Sequence, residues 1–568
     1  MARTIGIGIQ DFVKIRENNC FYIDKTSFIK EWWENCDSAT LITRPRRFGK
    51  TLNMSMLEHF FSVDYVERRD LFEGLAIWEE EKYRNLQGMY PVISLSFANI
   101  KEADYQTTCY RIRQLLMKQY EKYSFLKEGN ILSKGEKKYF EGMMSEMSEM
   151  DAPMALYQLS DYLYRYYRKK VIILLDEYDT PMQEAYVNGY WDKLVSFTRS
   201  LFNSTFKTNP WAERCMMTGI TRVSRESIFS DLNHLEVVTT TSKKYETAFG
   251  FTEKEVFEAL EEFGLKSEKE KVKFWYDGFI FGNHKDIYNP WSILNFLDKK
   301  NYTAYWANTS SNSLANILIR ESDEEIKKSF EELLRGNHLF CPIDEQIVYN
   351  QLDGNDAAVW SLLVASGYLK VISYEAPDLI EGSREPLYEL ALTNHEVKCM
   401  FYKMVRDWFG SVKPVYHNFI KAMLLGDLDA MNLYMSRITK QIFSYFDTAA
   451  SATDSEPERF YHGFVLGLLV DLDDKYIITS NRESGFGRYD IVMEPKNRQD
   501  DAIIIEFKVF NAKRENSLED TVAVALQQIE EKQYDAVLIA KGIEKSHIRK
   551  YGFAFEGKNV LIEGDQEG

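Results

Sequence analysis

Two carboxylates and a lysine near the end of the chain have a spacing that suits metal-dependent chemistry. Asp490 lies in the stretch ESGFGRYDIVMEP, and Glu506 and Lys508 follow in AIIIEFKVF, which gives the pattern D-x(15)-E-x-K. The second stretch is apolar and β-branched, as in a strand at the middle of a sheet, and side chains alternate between the faces of a strand. Glu506 and Lys508 therefore share one face, and the preceding strand can bring Asp490 beside them.

Carboxylates on adjacent strands can share one or two divalent cations, which stabilise the attacking and leaving oxygens of a phosphodiester. Lys508 would then position or activate the attacking water. A preceding predicted helix adds Glu458, with His462 one turn further on the same face, and a later one carries Gln527 and Gln528. The alternative is an ordinary solvated Glu–Lys pair at a sheet edge, worth roughly a few tenths of a kcal/mol.

A phosphate-binding pattern lies near the start of the chain. In LITRPRRFGKTLNMSML, Gly49, Lys50 and Thr51 match the end of G-x-x-x-x-G-K-[ST], between a predicted strand and a predicted helix. Such a loop points backbone N–H groups and a lysine at phosphates, and its hydroxyl binds Mg²⁺. Arg44 replaces the first glycine, so we expect the loop to begin in another backbone geometry. An ordinary helix start is the alternative.

The stretch KVIILLDEYDTP supplies the second half of a nucleotide site. Its apolar run leads into Asp176 and Glu177, the layout in which an aspartate binds Mg²⁺ and a glutamate orients or deprotonates water. A strand that simply ends in acidic turn residues is the alternative, but two motifs in the expected order favour a nucleotide site. Weaker candidates for contacts with the γ-phosphate follow the next predicted strand: Thr218, Thr221, Arg222 and Arg225.

The composition sets the broad class. The chain has 568 residues, of which 45% are hydrophobic and 28% charged, so we expect three or four globular domains. The net charge of −17 argues against a uniformly basic surface, and any DNA contact must use a local patch. Six scattered cysteines without C-x-x-C spacing disfavour a zinc site and fit a reducing cytoplasm. No apolar stretch approaches the length of a membrane span.

The elements that must position the amino-terminal motifs are predicted from apolar periodicity. Strands alternate with helices over the first 240 residues, which predicts a mostly parallel sheet covered on both faces. These strands are predicted at 39–43, 90–98, 170–176, 214–221 and 234–241. Residues 250–447 are predicted to be mainly helical, and a helix–hairpin–helix pattern from VWSLLVASGYLKVISYE onward is compatible with a winged-helix unit.

The polar stretch 447–458 is the best candidate for a linker. The elements predicted after it are a helix at 456–472, strands near 476–484, 488–495 and 502–510, a helix near 518–533, and strands at 534–540 and 559–563. The domain prediction is therefore an ATPase-type domain over 1–245, a helical region with the winged-helix candidate over 246–450, and a nuclease-type αβββαβ domain over 451–568. The fold class is α/β.

The run of motifs resembles the bacterial AAA-ATPase-like family. YIDKTSFI, RPRRFGKTL, IILLDEYDTP and WYDGFIFG carry the resemblance, which covers about residues 5–310. It implies an additional-strand P-loop ATPase fold with phosphate binding by Gly49, Lys50 and Thr51. It further implies Walker B roles for Asp176 and Glu177, with Mg²⁺ held at Thr51 and Asp176. Arg44 departs from the general P-loop pattern, although RPRRFGK matches this family.

ERFYHGFVLGLL, SGFGRYDIVM, IIIEFKV and ALQQIEEKQY resemble the PD-(D/E)XK nuclease domain that commonly accompanies such ATPases. This second resemblance covers about residues 455–540 and implies a restriction-endonuclease-like fold. It implies metal binding by Glu458, Asp490 and Glu506, with Lys508 as the catalytic lysine.

Together, the residues and the resemblance predict a cytoplasmic enzyme that binds and hydrolyses ATP and cleaves DNA with Mg²⁺, Mn²⁺ being an alternative cation. The ATPase would regulate or position the nuclease, with defence against phage or mobile DNA as the suggested setting. One alternative is a nucleotide-dependent regulatory or signalling switch with a vestigial nuclease. Another is a binding module whose P-loop only holds a nucleotide. RNA stays an alternative substrate, a homo-oligomer an alternative assembly, and no membrane partner is expected.

Overall fold

The computed structural model describes residues 3–207, 209–221, 229, 234–307, 313–322, 324–344, 356–375, 386–408, 413–446, 456–484, 487–512, 514–557 and 559–565. Within these, only the backbone is described for 313, 314, 321, 324, 356, 441–446, 456–463, 481–484 and 487–489. The chain divides into two compact units. The first unit contains residues 1–310 and 338–397, and the second contains 311–337 and 398–568.

A five-stranded parallel sheet forms the centre of the first unit. Its strands are β1 (Ala39–Thr43), β2 (Val92–Ser96), β3 (Val171–Asp176), β4 (Ala212–Gly219) and β5 (Leu235–Val238). All five predicted strands are confirmed. The order is β2-β3-β4-β1-β5, so β4 separates β1 from β3, as in an additional-strand P-loop fold. β1 and β3 are buried along their whole length, which explains their β-branched and leucine-rich sequences.

Nine α-helices accompany this sheet within the described residues 3–207, in the chain order expected for β–α alternation. They are α1 (Phe12–Glu17), α2 (Ser27–Asn35), α3 (Lys50–Phe61), α4 (Glu81–Arg84), α5 (Tyr105–Lys122), α6 (Lys134–Ser145), α7 (Ala155–Tyr167), α8 (Thr180–Val187) and α9 (Trp191–Phe202). Helices α3 and α7 pack against β3 and thereby hold the two predicted nucleotide motifs on one framework.

A smaller antiparallel sheet and its helices follow in the first unit. The elements are β6 (Phe251–Thr252), α10 (Glu253–Glu262), α11 (Lys269–Tyr276), β7 (Phe279–Phe281), β8 (His284–Tyr288) and α12 (Pro290–Lys299). The sheet has the order β6-β8-β7. Val256, Val272 and Ile293, one from each helix, share a buried apolar core.

The predicted helix–hairpin–helix is confirmed as an order of elements. After α13 (Ser313–Glu321) and α14 (Glu324–Arg335), which belong to the second unit, come β9 (Leu339–Cys341), α15 (Asp356–Ala365), β10 (Leu369–Glu375), β11 (Leu387–Leu392) and α16 (His395–Trp408). β9 extends the hairpin to a three-stranded sheet of order β10-β11-β9. The boundary between the units falls within α16.

The second unit has its own mixed five-stranded sheet. Its elements are α17 (Lys413–Leu425), α18 (Leu428–Phe446), α19 (Glu456–Leu472), β12 (Tyr476–Ser484), β13 (Gly487–Pro495), β14 (Ala502–Val509), α20 (Leu518–Glu531), α21 (Ala536–Ala540), β15 (Ile548–Glu556) and β16 (Asn559–Gly564). The order is β12-β13-β14-β15-β16, with β14 and β15 parallel and the other pairs antiparallel. The predicted α/β class and the αβββαβ order are confirmed.

One predicted strand is wrong. Residues 534–540 contain helix α21, and the strand parallel to β14 is β15. Tyr534 and Leu538, four residues apart, are buried together in an apolar cluster, whereas Val537 and Ile539 are about half exposed. That spacing is helical, but a short apolar run does not reveal it by periodicity alone.

The predicted linker lies mostly outside the described residues, since only 456–458 are described, as the start of α19. The three-domain division remains a prediction. Among the described helices, none is long and apolar enough to cross a membrane.

Candidate nucleotide and nuclease sites

The loop between β1 and α3 has the backbone of an anion-binding turn. Gly49, the residue before α3, has a φ of 85°, and Arg47 has a φ of 67°. Arg44 is not among the described residues with positive φ, and its N–H continues the sheet by donating to the carbonyl of Gly219 at 3.2 Å. The expectation that the loop begins in another geometry is therefore confirmed, since the left-handed residues are the fourth and sixth of the pattern.

The side chain of Arg44 anchors the start of this loop. Its guanidinium is fully buried and donates to the carbonyls of Thr43 and Thr239 at 2.9 and 2.6 Å. It also lies 4.6 Å from the ring centre of Phe281. Burial lowers the pKa of Arg44 to about 9. A glycine at this position could make none of these contacts.

Lys50 and Thr51 lie against the acidic end of β3. The Lys50 ammonium donates to the carbonyls of Arg44 and Pro45, both at 3.0 Å, and lies 3.5 Å from a carboxylate oxygen of Glu177. The Thr51 hydroxyl donates to Asp176 at 2.8 Å. The two halves of the predicted nucleotide motif are thus brought together, although they are 125 residues apart in sequence.

The end of β4 holds the acidic pair in place. The Thr218 hydroxyl donates to Asp176 at 2.5 Å and accepts from the backbone N–H of Glu177 at 3.2 Å. Glu177 has a φ of 53°, an uncommon backbone for a residue with a side chain, so this support compensates local strain. Burial and the neighbouring Glu177 charge raise the pKa of Asp176.

Asp179 supports the site from behind the cavity, and the sequence prediction missed it. Its carboxylate is fully buried and accepts from the backbone N–H groups of Ile220 and Thr221, both at 2.9 Å, and from the Thr221 hydroxyl at 3.0 Å. Thr221 is therefore joined to the acidic loop. The available signal was the further acidic residue in the stretch DEYD. Arg222 and Arg225 lie outside the described residues.

A cavity of about 690 Å³ opens over the P-loop and the acidic end of β3. Its lining includes Lys50, Thr51, Asp176 and Glu177, together with further cations from the loop and its surroundings: Lys25, Arg46, Arg47 and Lys101. Its apolar wall includes Ile9, Ile23, Phe251, Trp291 and Leu294. The volume is in the usual range for small-ligand sites, and the excess of cations suits a polyphosphate.

The second site lies where β13 and β14 separate. Their pairing includes Ile491 opposite Ile505 and is not continued at the next pair, Asp490 and Glu506. At this pair, hydrogen bonds from backbone N–H groups to the two carboxylates take the place of backbone–backbone hydrogen bonds between the strands. Asp490 accepts from the Phe507 N–H at 2.7 Å, and Glu506 accepts from the Asp490 N–H at 3.4 Å. Each strand thus holds the acidic side chain of the other.

Lys508 and Gln528 complete the described part of this site. The Lys508 ammonium donates to Glu506 at 3.0 Å, and the Gln528 amide donates to Glu506 and, at 3.0 Å, to the Tyr534 hydroxyl. Glu506 is only 1% exposed, and β14 is the central strand of its sheet. The alternative of a solvated pair at a sheet edge therefore does not fit this residue. Burial, and then the Asp490 charge, raise the pKa of Glu506 to about 7.

The remaining candidates differ in what the structure describes of them. Gln527 is directed away from the site, where its amide donates to Glu531 at 2.6 Å. Glu458 and His462 lie in the first two turns of α19, but their side chains are outside the described residues. The sequence prediction left Gln527 and Gln528 open, and the structure places Gln528 at the site.

The donor sets at both sites fit hard divalent cations. A threonine hydroxyl and a carboxylate, here Thr51 and Asp176, are oxygen ligands of the type that Mg²⁺ prefers. Asp490 and Glu506 bring two carboxylates together. Burial raises the pKa of Glu506, and so does repulsion by the Asp490 charge, which Lys508 only partly compensates. A cation bound between them would remove that repulsion.

The first unit therefore has the strand order and motif geometry of a P-loop ATPase, and the second has those of a restriction-endonuclease-like domain. Comparison with known families agrees with both. Residues 6–229 match the family described as predicted AAA-ATPase, and residues 456–564 match the PD-(D/E)XK nuclease superfamily. The chain thus carries an AAA-ATPase-like domain and a carboxyl-terminal PD-(D/E)XK domain, as its motifs predict.

A relative from Azotobacter chroococcum mcd 1 matches the chain over nearly its full length. It is described as an uncharacterized protein in the vnfD 5′ region, and it is 23% identical over 576 residues, which cover 98% of each chain. Its description names no activity, so the similarity spans nearly the whole chain and adds no function.

Proposed function

We propose that this protein is a cytoplasmic ATPase and a Mg²⁺-dependent DNA nuclease, in which ATP binding and hydrolysis regulate or position the nuclease. Defence against phage or mobile DNA is the biological setting that we infer for it. The observation that supports the nuclease most directly is the separation of β13 and β14 at Asp490 and Glu506, with Lys508 beside them.

In the proposed ATPase, the residues of the first cavity divide the work. Lys50 binds the β- and γ-phosphates in place of its present carbonyl partners, with Gly49 and Thr51 presenting backbone N–H groups at the start of α3. Thr51 and Asp176 hold Mg²⁺. Glu177, released from Lys50, orients the attacking water and accepts its proton.

In the proposed nuclease, Asp490 and Glu506 hold the divalent cation, with Glu458 as a further ligand from α19. When bound, such a cation stabilises the oxygens that attack and leave the phosphodiester. Lys508 positions the attacking water. Gln528 keeps Glu506 in its orientation by a hydrogen bond that leaves the second carboxylate oxygen for other partners.

A local basic groove supports a nucleic acid as the substrate. It lies in the second unit, has a volume of about 670 Å³, and is bordered by Arg406, Lys413, Lys421 and Lys475. Its only carboxylate among the described residues is Asp471, which pairs with Arg406 at 2.9 Å. On a chain with a net charge of −17, such a groove is the local patch that phosphate contacts require.

The main rival is a regulatory switch whose nuclease is vestigial. The intact group of Asp490, Glu506 and Lys508 argues against it, because a domain that no longer cleaves has no need to keep all three. A module that only holds ATP is a second rival, and the position of Glu177 beside Lys50 argues against that one.

The decisive experiment is a cleavage assay with the full chain. Plasmid, linear and single-stranded DNA, with RNA as a parallel substrate, are incubated with Mg²⁺ or Mn²⁺ and with or without ATP. We expect DNA cleavage that needs the divalent cation and changes with ATP. Absence of cleavage under every condition would refute the nuclease and favour the regulatory switch.

Coupling between the activities is tested with Lys50→Ala, whose nuclease residues are intact. ATP can influence cleavage only if its binding favours one conformation of the protein over another. We expect this variant to cleave at a different rate from the wild type in ATP and Mg²⁺, and at the same rate without ATP. Identical cleavage on every DNA form would mean two independent enzymes on one chain.

A further inference from the structure

A second cavity of the first unit lies beside the P-loop and has no part in the proposed ATPase. Its volume is about 490 Å³. One wall is Pro45 of the P-loop, another is β7, and a third is β10. β7 and β10 are edge strands of two separate three-stranded sheets, so this cavity lies between two sheet edges.

The charged groups of this cavity favour an anion. Lys285 and Lys370 line it, and no described lining residue is a carboxylate. The ammonium of neither lysine has an ion pair or a hydrogen-bond partner among the described residues. Burial lowers the pKa of Lys370, with the charges of Asp277 and Asp286 acting in the opposite direction. These carboxylates form no ion pair with Lys370, so a bound anion would give its partly desolvated ammonium a direct partner.

The rings of the same cavity favour a planar group next to that anion. Tyr374 and Tyr388 have ring centres 5.0 Å apart, and Tyr374 is 52% exposed. Phe279 and Phe281 line the cavity from the side of β7. Exposed aromatic faces stack well with nucleobases, and this interaction tolerates any base because each has a π-face.

We propose that this cavity binds a ligand with a nucleobase and a phosphate, separate from the ATP bound at the P-loop, and that this ligand regulates ATP turnover. The phosphate contacts Lys285 and Lys370, and the base stacks on Tyr374. A free nucleotide and the end of a nucleic-acid strand share this chemistry. Only the regulatory part rests on the proposed ATPase.

Packing gives the ligand a direct route to the phosphate-binding lysine. A β-carbon added to Gly367, in the turn between α15 and β10, would lie 2.7 Å from the Pro45 ring, so this turn packs tightly against the P-loop. The carbonyl of Pro45 in turn accepts from the Lys50 ammonium at 3.0 Å. A ligand that shifts β10 therefore changes the surroundings of Lys50.

Binding is tested in the full chain carrying Lys50→Ala, so that the P-loop site does not obscure the result. AMP, GMP and a single-stranded DNA tetramer are titrated by calorimetry. We expect one site per chain for at least one probe, weakened at least tenfold by Lys285→Gln with Lys370→Gln. Lys370→Arg keeps the charge, so in the Lys50→Ala chain it should leave binding of the probe nearly unchanged. The control changes two exposed cations of α6, Lys134→Gln and Lys138→Gln, and should have no effect.

Preference for AMP or GMP would identify a free nucleotide as the ligand, and preference for the tetramer a nucleic-acid end. No binding of any probe, or binding that survives the Lys285 and Lys370 changes, would overturn the site. Regulation is tested separately in the wild type at saturating ATP, where the bound probe should change turnover at least twofold. Binding without any change in turnover would overturn the regulatory part. Absence of ATP hydrolysis in the wild type would refute the proposed ATPase and leave the binding test valid.

Discussion

The P-loop cavity of the first unit and the strand separation of the second both contain cationic side chains and carboxylates, but in opposite proportions. In the cavity, cations exceed carboxylates, and Lys50 is held by backbone carbonyls and Glu177. At the strand separation, Asp490 and Glu506 have Lys508 as their described cation, and the pKa of Glu506 is raised. One site therefore suits a polyanion and the other a divalent cation. Removing a carboxylate should therefore impair the second site most, and removing a cation should impair the P-loop cavity most.

The largest effect should follow loss of either carboxylate at the strand separation. Asp490→Ala or Glu506→Ala removes a proposed metal ligand, and we expect cleavage to fall by on the order of 10²–10³-fold or more. Glu494→Ala, on the same strand as Asp490, is the matched control and should cleave normally. The measurement is the rate of plasmid cleavage, with Mn²⁺ binding followed by thermal shift. Full activity in both variants would show that these residues are only structural.

Lys508→Ala tests whether the cation of this site acts in cleavage. We expect cleavage to be lost or greatly reduced while Mn²⁺ binding largely remains, because the carboxylates are retained. Calorimetry with Mn²⁺ and the plasmid assay separate the two effects. Loss of metal binding with this change alone would instead give Lys508 a role in holding Glu506.

At the P-loop, loss of the central cation should abolish ATP binding. Lys50→Ala removes the charge that meets the β- and γ-phosphates, and the carbonyls of Arg44 and Pro45 can then bind water. Glu177→Gln keeps the shape of its side chain, so we expect ATP binding to persist and hydrolysis to fall about 10²-fold. Calorimetry and a phosphate-release assay measure these effects. Retained ATP affinity in a folded Lys50→Ala protein would contradict the P-loop assignment.

The elements that sequence periodicity predicted best are those buried on both faces. β1 and β3 are mostly apolar and buried throughout, β14 begins with the buried apolar run AIII, and the positions of all three were predicted within a residue or two. β15 was missed because its sequence, IRKYGFAFE, interrupts the apolar pattern with charges and a glycine. Lys550 is nevertheless buried there, because it pairs with Glu530 and Asp535. Such a partner becomes apparent only when the chain is folded.

The site residues likewise divide into those whose contacts the sequence predicts and those whose contacts appear only in the folded chain. The pairing of Thr51 with Asp176 and of Glu506 with Lys508 could be predicted, because motif order and strand alternation require it. The roles of Arg44 and Asp179 could not, since both depend on contacts with distant backbone groups that no local pattern specifies.

Burial of Glu506, together with the nearby Asp490 charge, should also appear as a dependence of stability on pH. The pKa of Glu506 is raised from 4.5 to about 7 in the folded protein, so the folded state binds a proton that the unfolded state has already released. Stability from this group is greatest at low pH and is lost as the pH rises through about 7. Without divalent cations, we expect an effect on the order of 1–3 kcal/mol.

This dependence is measured by urea unfolding of the second unit at several pH values between about 5 and 8. Glu506→Gln should flatten it, because the amide does not titrate, and Glu494→Gln should leave it unchanged. Added Mn²⁺ should restore stability mainly at the higher pH, where the carboxylate is free to bind it. An unchanged profile in Glu506→Gln would assign the dependence to other groups.

The smallest effect should come from the basic groove, where contacts add up and none is essential. Lys413 and Lys421 are two helical turns apart on α17, about 12 Å at 1.5 Å per residue, and both are exposed like Lys475. If they contact phosphates, the triple change to serine should weaken binding of a 30-base-pair duplex about tenfold, and should reduce the slope of log Kd against log salt by about 2–3. The control replaces three exposed cations elsewhere in the second unit, Lys440, Arg498 and Lys545, so the net charge falls equally. Equal slopes for the two triple variants would mean that the groove contributes only to the overall electrostatic field of the protein. The local patch that contacts the substrate would then have to lie elsewhere on this unit.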